Sequence, residues 1–194
     1  MSAHASLDHG VLGNTFIDLN TITRFMSFFD EPKNAGLALM IVAAINLIGG
    51  IIAVVDGSIL AGVGSIIAAV IYLLFGNKVR TGEISGKMPV LASFVKAVGI
   101  AYLVTAVCGL NIVGIIVAVI ILFCAYKIGD GQTTTADKII WILLLIAFIL
   151  GILGGILSLL AFPIGTITGI CAIILYVFML KLLLDNEVKK QMGM

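Results

Sequence analysis

Four runs of the chain carry no charged residue, and they are 22, 21, 30 and 42 residues long. They occupy positions 34–55, 57–77, 97–126 and 139–180. Because hydrocarbon cannot pair with an exposed backbone group, a chain crosses a membrane either as helices of about 20 apolar residues or as a closed barrel. Barrel strands alternate apolar and polar residues over about ten positions, so these uniform runs predict membrane-spanning helices.

The composition agrees with a membrane protein and excludes a water-soluble fold. Charged residues make up 11% of the 194 positions and hydrophobic residues 61%, whereas about 25% of a soluble domain is charged. Disorder is excluded too, because it requires low hydrophobicity. A net charge of +1 gives no reason to expect nucleic acid as a partner, so the predicted partner is the lipid bilayer.

The two longer runs each contain more residues than one span needs. As a single helix the run 139–180 would be about 63 Å long, so it must turn, and Pro163 is the predicted corner. The run 97–126 is either one tilted helix or parts of two helices that meet near Gly109, and we favour two. The six predicted spans are 35–55, 58–76, 88–108, 111–128, 139–161 and 164–183.

Glycines recur at corresponding positions of the three hairpins that these spans would form. Glycine is abundant, with 22 residues, so chance is one explanation, but an internal repeat accounts for two columns together. Since each unit holds two helices, the sequence predicts an all-α integral membrane protein built from three parallel two-helix hairpin repeats. At offsets of 50 and 55 residues the columns hold Gly49, Gly99 and Gly154, and Gly64, Gly114 and Gly169.

Close approach of helix backbones is the expected role of these glycines, because lipid supplies no hydrophobic drive between helices. Two Gly-x-x-x-Gly pairs in the third hairpin fit the same role. The predicted helix-packing residues are Gly49, Gly64, Gly99, Gly114, Gly151, Gly154, Gly155, Gly165 and Gly169.

The third hairpin combines Gly154, Pro163 and Gly169, and the first two hairpins echo its glycines but lack the corner proline. In this pattern, and in its three short-turned hairpins, the chain resembles the small HdeD-type membrane family. The resemblance covers the six helices but not the N-terminal segment. It implies a six-span membrane fold and a link to acid resistance.

Basic residues are confined to alternate connections, with Lys96 as the exception. The connections near Asp56, Gly109 and Pro163 contain none. By the positive-inside rule both chain termini are predicted to be cytoplasmic, and the Ile-rich composition suggests a prokaryotic inner or plasma membrane. The predicted domains are a cytoplasmic segment 1–33, a transmembrane domain 34–184 with hairpins 34–77, 87–128 and 138–184, and a cytoplasmic tail 185–194.

The N-terminal segment is expected to carry an amphipathic helix. Apolar residues between positions 12 and 29 fall near helical spacing, with polar residues largely opposite. This pattern predicts a helix that lies on the cytoplasmic interface. A helix that docks on a partner or a neighbouring protomer is the alternative.

Catalysis and metal binding in a membrane both need titratable groups at depth, and the predicted spans hold few. His4 and His9 lie in the N-terminal segment, and Cys108, Cys124 and Cys171 are scattered without metal-ligand spacing. We therefore predict no enzyme activity, no catalytic residue, no cofactor and no metal.

Lys96 is the polar residue that most needs an explanation, because it lies inside a predicted span. It shares a repeat column with Asn46 and Gly151. If this column faced the bundle axis, Asn46, Lys96, Tyr102 and Thr105 would form a polar pathway. The alternative is that Lys96 extends its four-carbon stem to the cytoplasmic headgroups.

These observations favour a non-catalytic structural or accessory protein, which packs with itself as a homo-oligomer or with other membrane subunits. A passive channel or small-solute transporter, with its path near Asn46 and Lys96, is the alternative hypothesis.

Overall fold

The computed structural model describes residues 27–29, 31–130, 135–160 and 164–194, and within these ranges the regular secondary structure is helical. Helices α1 to α5 are each long and apolar enough to cross a membrane, and the apolar part of α6 is the shorter segment Ile167–Leu183. The chain is therefore an all-helical, multi-pass membrane protein. The helices of the described ranges are α1 (Pro32–Val55), α2 (Ile59–Arg80), α3 (Lys87–Cys108), α4 (Ile112–Gly129), α5 (Thr135–Ser158), α6 (Ile164–Leu183) and α7 (Asn186–Gln191).

Two of the features predicted from the sequence fall wholly or mostly outside the described residues. These are the corner at Pro163 and most of the amphipathic helix predicted over 12–29. The end of that segment is described, and Phe29 is buried in the bundle against Phe178, with ring centroids 4.5 Å apart. Its side chain therefore contributes to the core of the bundle and not to a lipid-facing surface.

Short turns of one kind connect α1 to α2 and α3 to α4. In each turn three successive amides donate to carbonyl oxygens four, three and five residues earlier in the chain. The middle residue is left-handed in both turns, with φ of 86° at Gly57 and 51° at Leu110. These equivalent residues are separated by 53 positions, whereas the glycine columns were aligned at an offset of 50. The turns and the glycine columns thus define different registers for the first two hairpins.

Glycines bring the two helices of the first and third hairpins into direct backbone contact. A Cβ atom on Gly50 would lie 2.8 Å from the carbonyl oxygen of Gly62, and one on Gly169 would lie 2.6 Å from that of Gly155. Helices associate in lipid through such close approach. Of these four residues, Gly155 and Gly169 belong to the predicted packing set, whereas Gly50 and Gly62 were not predicted.

The other glycines predicted to pack have two kinds of surroundings. Four of them face a side chain of a neighbouring helix, 2.6–3.0 Å from where a Cβ atom would stand. Gly49 and Gly154 make no such contact within the described part of the chain, because none of its atoms lies within 4 Å of where their Cβ atoms would stand, and the surroundings of Gly165 are outside the described part. The four packed glycines and their neighbours are Gly64 with Cys108, Gly99 with Leu122, Gly114 with Ala106, and Gly151 with Tyr176.

The bundle has two different ends. We call the end with residues 81–86 and 184–194 the loop end, and the end with the turns at 56–58 and 109–111 the turn end. The largest fully buried side chains all lie in the half nearest the loop end, so this half is the tightly packed core. They are Leu39, Val79, Val90, Leu91, Phe94, Val95, Phe178, Met179, Leu183, Val188 and Met192.

Polar contacts hold the loop end together. The Lys87 ammonium lies 2.7 Å from Asp185 Oδ2, and Trp141 Nε1 donates to the carbonyl oxygen of Leu183 at 3.0 Å. The hydrogen bond from Lys87 holds the pKa of Asp185 below its ordinary value. Apart from Lys96, all basic residues in the described ranges also lie at this end.

Candidate functional site

A cavity of about 740 Å³ lies between the helices, and all six long helices contribute to its lining. Cavities that bind small molecules usually measure about 300–1,000 Å³. Most of the lining is apolar, as at Val42, Leu144 and Leu175. The cavity is thus large enough for a small molecule with an extended hydrocarbon part.

The cavity extends from the middle of the bundle, where Tyr72, Val95 and Met179 line it, into the half nearest the turn end. Ser65, Thr105 and Val117, which are close to the turn-end termini of their helices, are part of its lining. Its deepest lining residues toward the loop end are Val95 and Met179, and both are fully buried. The packed core therefore closes the cavity on the loop side.

None of the described residues that line the cavity is charged. An ion in such a site would lose its hydration without gaining a countercharge, which is strongly unfavourable. The cavity therefore suits uncharged molecules. The polar side chains in the lining are neutral and are those of Asn46, Ser65, Tyr72, Tyr102, Thr105, Thr168 and Tyr176.

The four residues of the predicted polar pathway do not all meet in this cavity. Asn46, Tyr102 and Thr105 line it, but Lys96 does not. Lys96 is exposed on the outside of α3, between the buried residues Val95 and Ala97. The reason is helical phase, because adjacent residues project about 100° apart and the inward face of α3 is already set by Val95 and its successors at helical spacing. Lys96 consequently faces outward. From this position its four-carbon stem can extend to the lipid headgroups, as in the alternative given above.

Several polar groups of the lining are bonded to their own helix. Asn46 Nδ2 donates to the carbonyl oxygen of Val42 at 2.9 Å, and Thr105 Oγ1 donates to that of Tyr102 at 3.0 Å. Ser65 Oγ donates in the same way to Ala61 at 3.1 Å. These bonds use the donor of each hydroxyl, so Ser65 and Thr105 offer the cavity mainly acceptor capacity.

Three tyrosines provide the donors that face the cavity. Tyr72, Tyr102 and Tyr176 come from α2, α3 and α6, and all three side chains are part of the lining. None of these hydroxyls makes a hydrogen bond to the described part of the protein. None of them is a fully buried polar atom without a partner either. Tyr72 and Tyr176 are half-buried and Tyr102 is 41% exposed, so the three hydroxyls are accessible to a molecule that enters the cavity. Sequence reasoning selected Tyr102 only, although all three interrupt apolar runs with a polar group.

Gly151 fixes the position of Tyr176. A Cβ atom on Gly151 would lie 2.6 Å from the Tyr176 ring, so the ring rests directly on the backbone of α5. The ring centroid of Phe148 is 6.3 Å away on the same helix. A side chain at position 151 would push the tyrosine away from its place beside the cavity.

No group of His, Cys, Asp and Glu side chains that could hold a metal ion occurs among the described residues. Cys124 and Cys171 are buried in separate helices, and Cys108 is partly buried. His4 and His9 lie outside the described ranges. The cavity with its tyrosines is accordingly the candidate site that the structure offers.

Comparison of the chain with protein-family models, with curated proteins and with solved structures finds no match.

Proposed function

We propose that the chain is a non-catalytic, six-span membrane protein that binds a small, uncharged and mainly apolar molecule in its cavity. The observation that carries this proposal is the cavity of about 740 Å³, lined from six helices without a charged side chain. Its lining offers neutral hydrogen-bonding groups but no nucleophile–base pair, which supports binding over chemistry.

Binding, or transport that includes a closed state, fits the cavity better than an open pore. Val95 and Met179 form its floor, and Phe94 and Phe178 are fully buried among the residues on the loop side. A molecule could pass to the loop end only if these side chains moved. The predicted small-solute transporter therefore remains compatible with the cavity, and a permanently open channel is disfavoured.

The proposed topology has three hairpins and both termini in the cytoplasm of a prokaryotic cell. It is supported by the basic residues at the loop end, since positive charge favours the cytoplasmic side. A relationship to the HdeD-type family is part of this proposal and is supported by the glycine and proline pattern alone.

The experiment for the binding function is extraction of the small molecules that copurify with the full-length protein, followed by mass spectrometry. Gly49→Phe places a ring in the cavity, because the Cβ position of Gly49 is open and the residue lines the site. Gly154→Phe is the matched control, since Gly154 is likewise exposed with an open Cβ position but is not part of the lining. We expect a stoichiometric neutral molecule in the wild type and in Gly154→Phe, and its loss in Gly49→Phe. Equal amounts in all three proteins, or none in the wild type, would overturn the proposal.

Assembly with itself or with other membrane subunits is a second candidate function. Gly154 is exposed on α5, and no atom of the described residues lies within 4 Å of its Cβ position, so a helix of another subunit can approach the backbone there. Light scattering in mild detergent tests this candidate. Gly154→Phe should reduce the oligomer and Gly49→Phe should not, and a monomeric wild type argues against it.

A further inference from the structure

The tyrosine hydroxyls give the proposed ligand a more specific chemistry. A hydroxyl without a partner in apolar surroundings is unfavourable, and Tyr72, Tyr102 and Tyr176 bring three such groups to one cavity. The hydroxyls of Ser65 and Thr105 already donate to their own helices. Of the two N–H groups of the Asn46 amide, one donates to Val42, so the donors that remain for a ligand are chiefly the three phenols, together with the second Asn46 N–H.

Resting on the proposed function, we infer that the cavity binds a lipid-soluble molecule whose carbonyl group, a ketone, ester or quinone oxygen, accepts hydrogen bonds from one or two of the phenol hydroxyls of Tyr72, Tyr102 and Tyr176. A carbonyl oxygen has two lone pairs and can accept from two hydroxyls at once. The hydrocarbon part of the molecule occupies the remaining apolar lining, which includes Val42 and Leu144.

Other classes of uncharged molecule fit this lining less well. A sugar or polyol carries hydroxyl groups over its whole surface, and most of them would meet apolar walls without a partner. A plain hydrocarbon would fill the volume but leave the phenol groups unpaired. A molecule with one polar end and an apolar body satisfies both parts of the lining.

The cavity is also accessible from the side that lipid would occupy. Val117 of α4 and Leu150 of α5 both line it, yet they are 40% and 60% exposed. These two helices contact each other only sparsely compared with the paired helices of each hairpin. The bilayer can therefore supply the ligand through the gap between α4 and α5, without passage through the packed loop end.

Photolabelling of the full-length protein in detergent with 4-hexylbenzophenone tests the inference, because this probe carries an aromatic ketone and cross-links to its surroundings. Competition by 2-undecanone is compared with competition by undecane, which has the same chain length without the carbonyl group. The test variant is the triple substitution Tyr72→Phe, Tyr102→Phe and Tyr176→Phe, which removes the hydroxyls and keeps the rings. Tyr126→Phe is the control, because Tyr126 is exposed near the loop end of α4 and is not part of the lining.

We expect labelled peptides from the cavity-lining helices, and about tenfold stronger competition by the ketone, as one gained hydrogen bond would give. This preference should be kept in Tyr126→Phe and lost in the triple variant, while the label itself remains. Labelling of the cavity with no ketone preference, or a preference unchanged in the triple variant, overturns the inference and leaves the proposed binding function intact. Labelling that Gly49→Phe does not reduce overturns both. Circular dichroism confirms that each variant is folded.

Discussion

Two alanine substitutions on the same helix should change the stability of the protein in opposite directions. Gly151 and Gly154 both lie in α5, three residues apart. A Cβ atom at Gly151 would meet the Tyr176 ring at 2.6 Å, whereas at Gly154 it would meet nothing within 4 Å. The two variants therefore compare the same added methyl group at a position that is already packed and at a position that is open.

The magnitude follows from two opposing effects. Replacing glycine by alanine inside a helix stabilises the folded state by about 0.5–1 kcal/mol, and this gain applies to both positions. Forcing a methyl group into a packed contact costs about 1–3 kcal/mol, and this cost applies to Gly151→Ala alone. We expect Gly154→Ala to stabilise the protein slightly. The free energy of unfolding of the Gly151→Ala protein should be lower than that of the Gly154→Ala protein by the full cost of the clash.

Reversible unfolding in mixed detergent micelles, followed by the fluorescence of Trp141, measures this difference. Trp141 is the only tryptophan of the chain, and its indole nitrogen donates to Leu183 across the α5–α6 pair. Its emission should therefore respond when these helices separate. Equal free energies of unfolding for the two variants would refute the packing of Tyr176 on Gly151. Reduced ligand retention in Gly151→Ala alone would further link this contact to the cavity.

Three shorter predictions concern a turn, the loop end and the exposed lysine. Leu110→Gly should raise the free energy of unfolding by about 1 kcal/mol, because a left-handed conformation is unfavourable for leucine, while Gly57→Leu should lower it. A destabilised Leu110→Gly protein would contradict the left-handed geometry of that turn. The pKa of Asp185 is lower in the folded protein than its ordinary value of about 4. Above that ordinary value the carboxylate therefore contributes its full stabilisation, and this contribution disappears as the pH falls through the lowered pKa. Thermal unfolding should show Lys87→Gln melting below the wild type at pH 7, with the difference shrinking in acid, and a difference independent of pH would contradict this. Lys96→Leu should leave the amount of copurified ligand unchanged, because Lys96 faces away from the cavity, and a loss of ligand in the extraction assay would return it to the binding path.

The helices were predictable because lipid imposes a sharp rule on the sequence. A span must be long, apolar and uncharged, so Asp56 and the Gly109 region marked the turns before the structure was known. The rule says nothing about which residues of a span face inward. Gly49, Gly99 and Gly154 share one column of the internal repeat, yet Gly49 is part of the cavity lining, Gly99 packs on Leu122, and Gly154 belongs to neither contact.

The candidate site was only partly predictable for the same physical reason. Asn46, Tyr102 and Thr105 were selected because polar residues in lipid need an explanation, and they do line the cavity. Lys96 was selected because it is a charged residue inside a predicted span, but its position on the helix turns it outward. A cavity arises where neighbouring helices fail to fill the space between them, and this property depends on their packing rather than on any local pattern of residues.

The size of the cavity is itself an argument that it is occupied in the membrane. A space of about 740 Å³ is far larger than the void that one water molecule fills, and it is reachable from the lipid side, where Val117 and Leu150 are exposed, so it will not stay empty. Water alone would fill it against mostly apolar walls, and lipid tails alone would leave the hydroxyls of Tyr72, Tyr102 and Tyr176 without partners. A molecule with a hydrocarbon body and an accepting carbonyl group removes both costs. At the loop end, by contrast, Val188 and Met192 of the folded-back C-terminal segment fill the space between the helices, so the chain closes one end with its own side chains and leaves the other to a ligand.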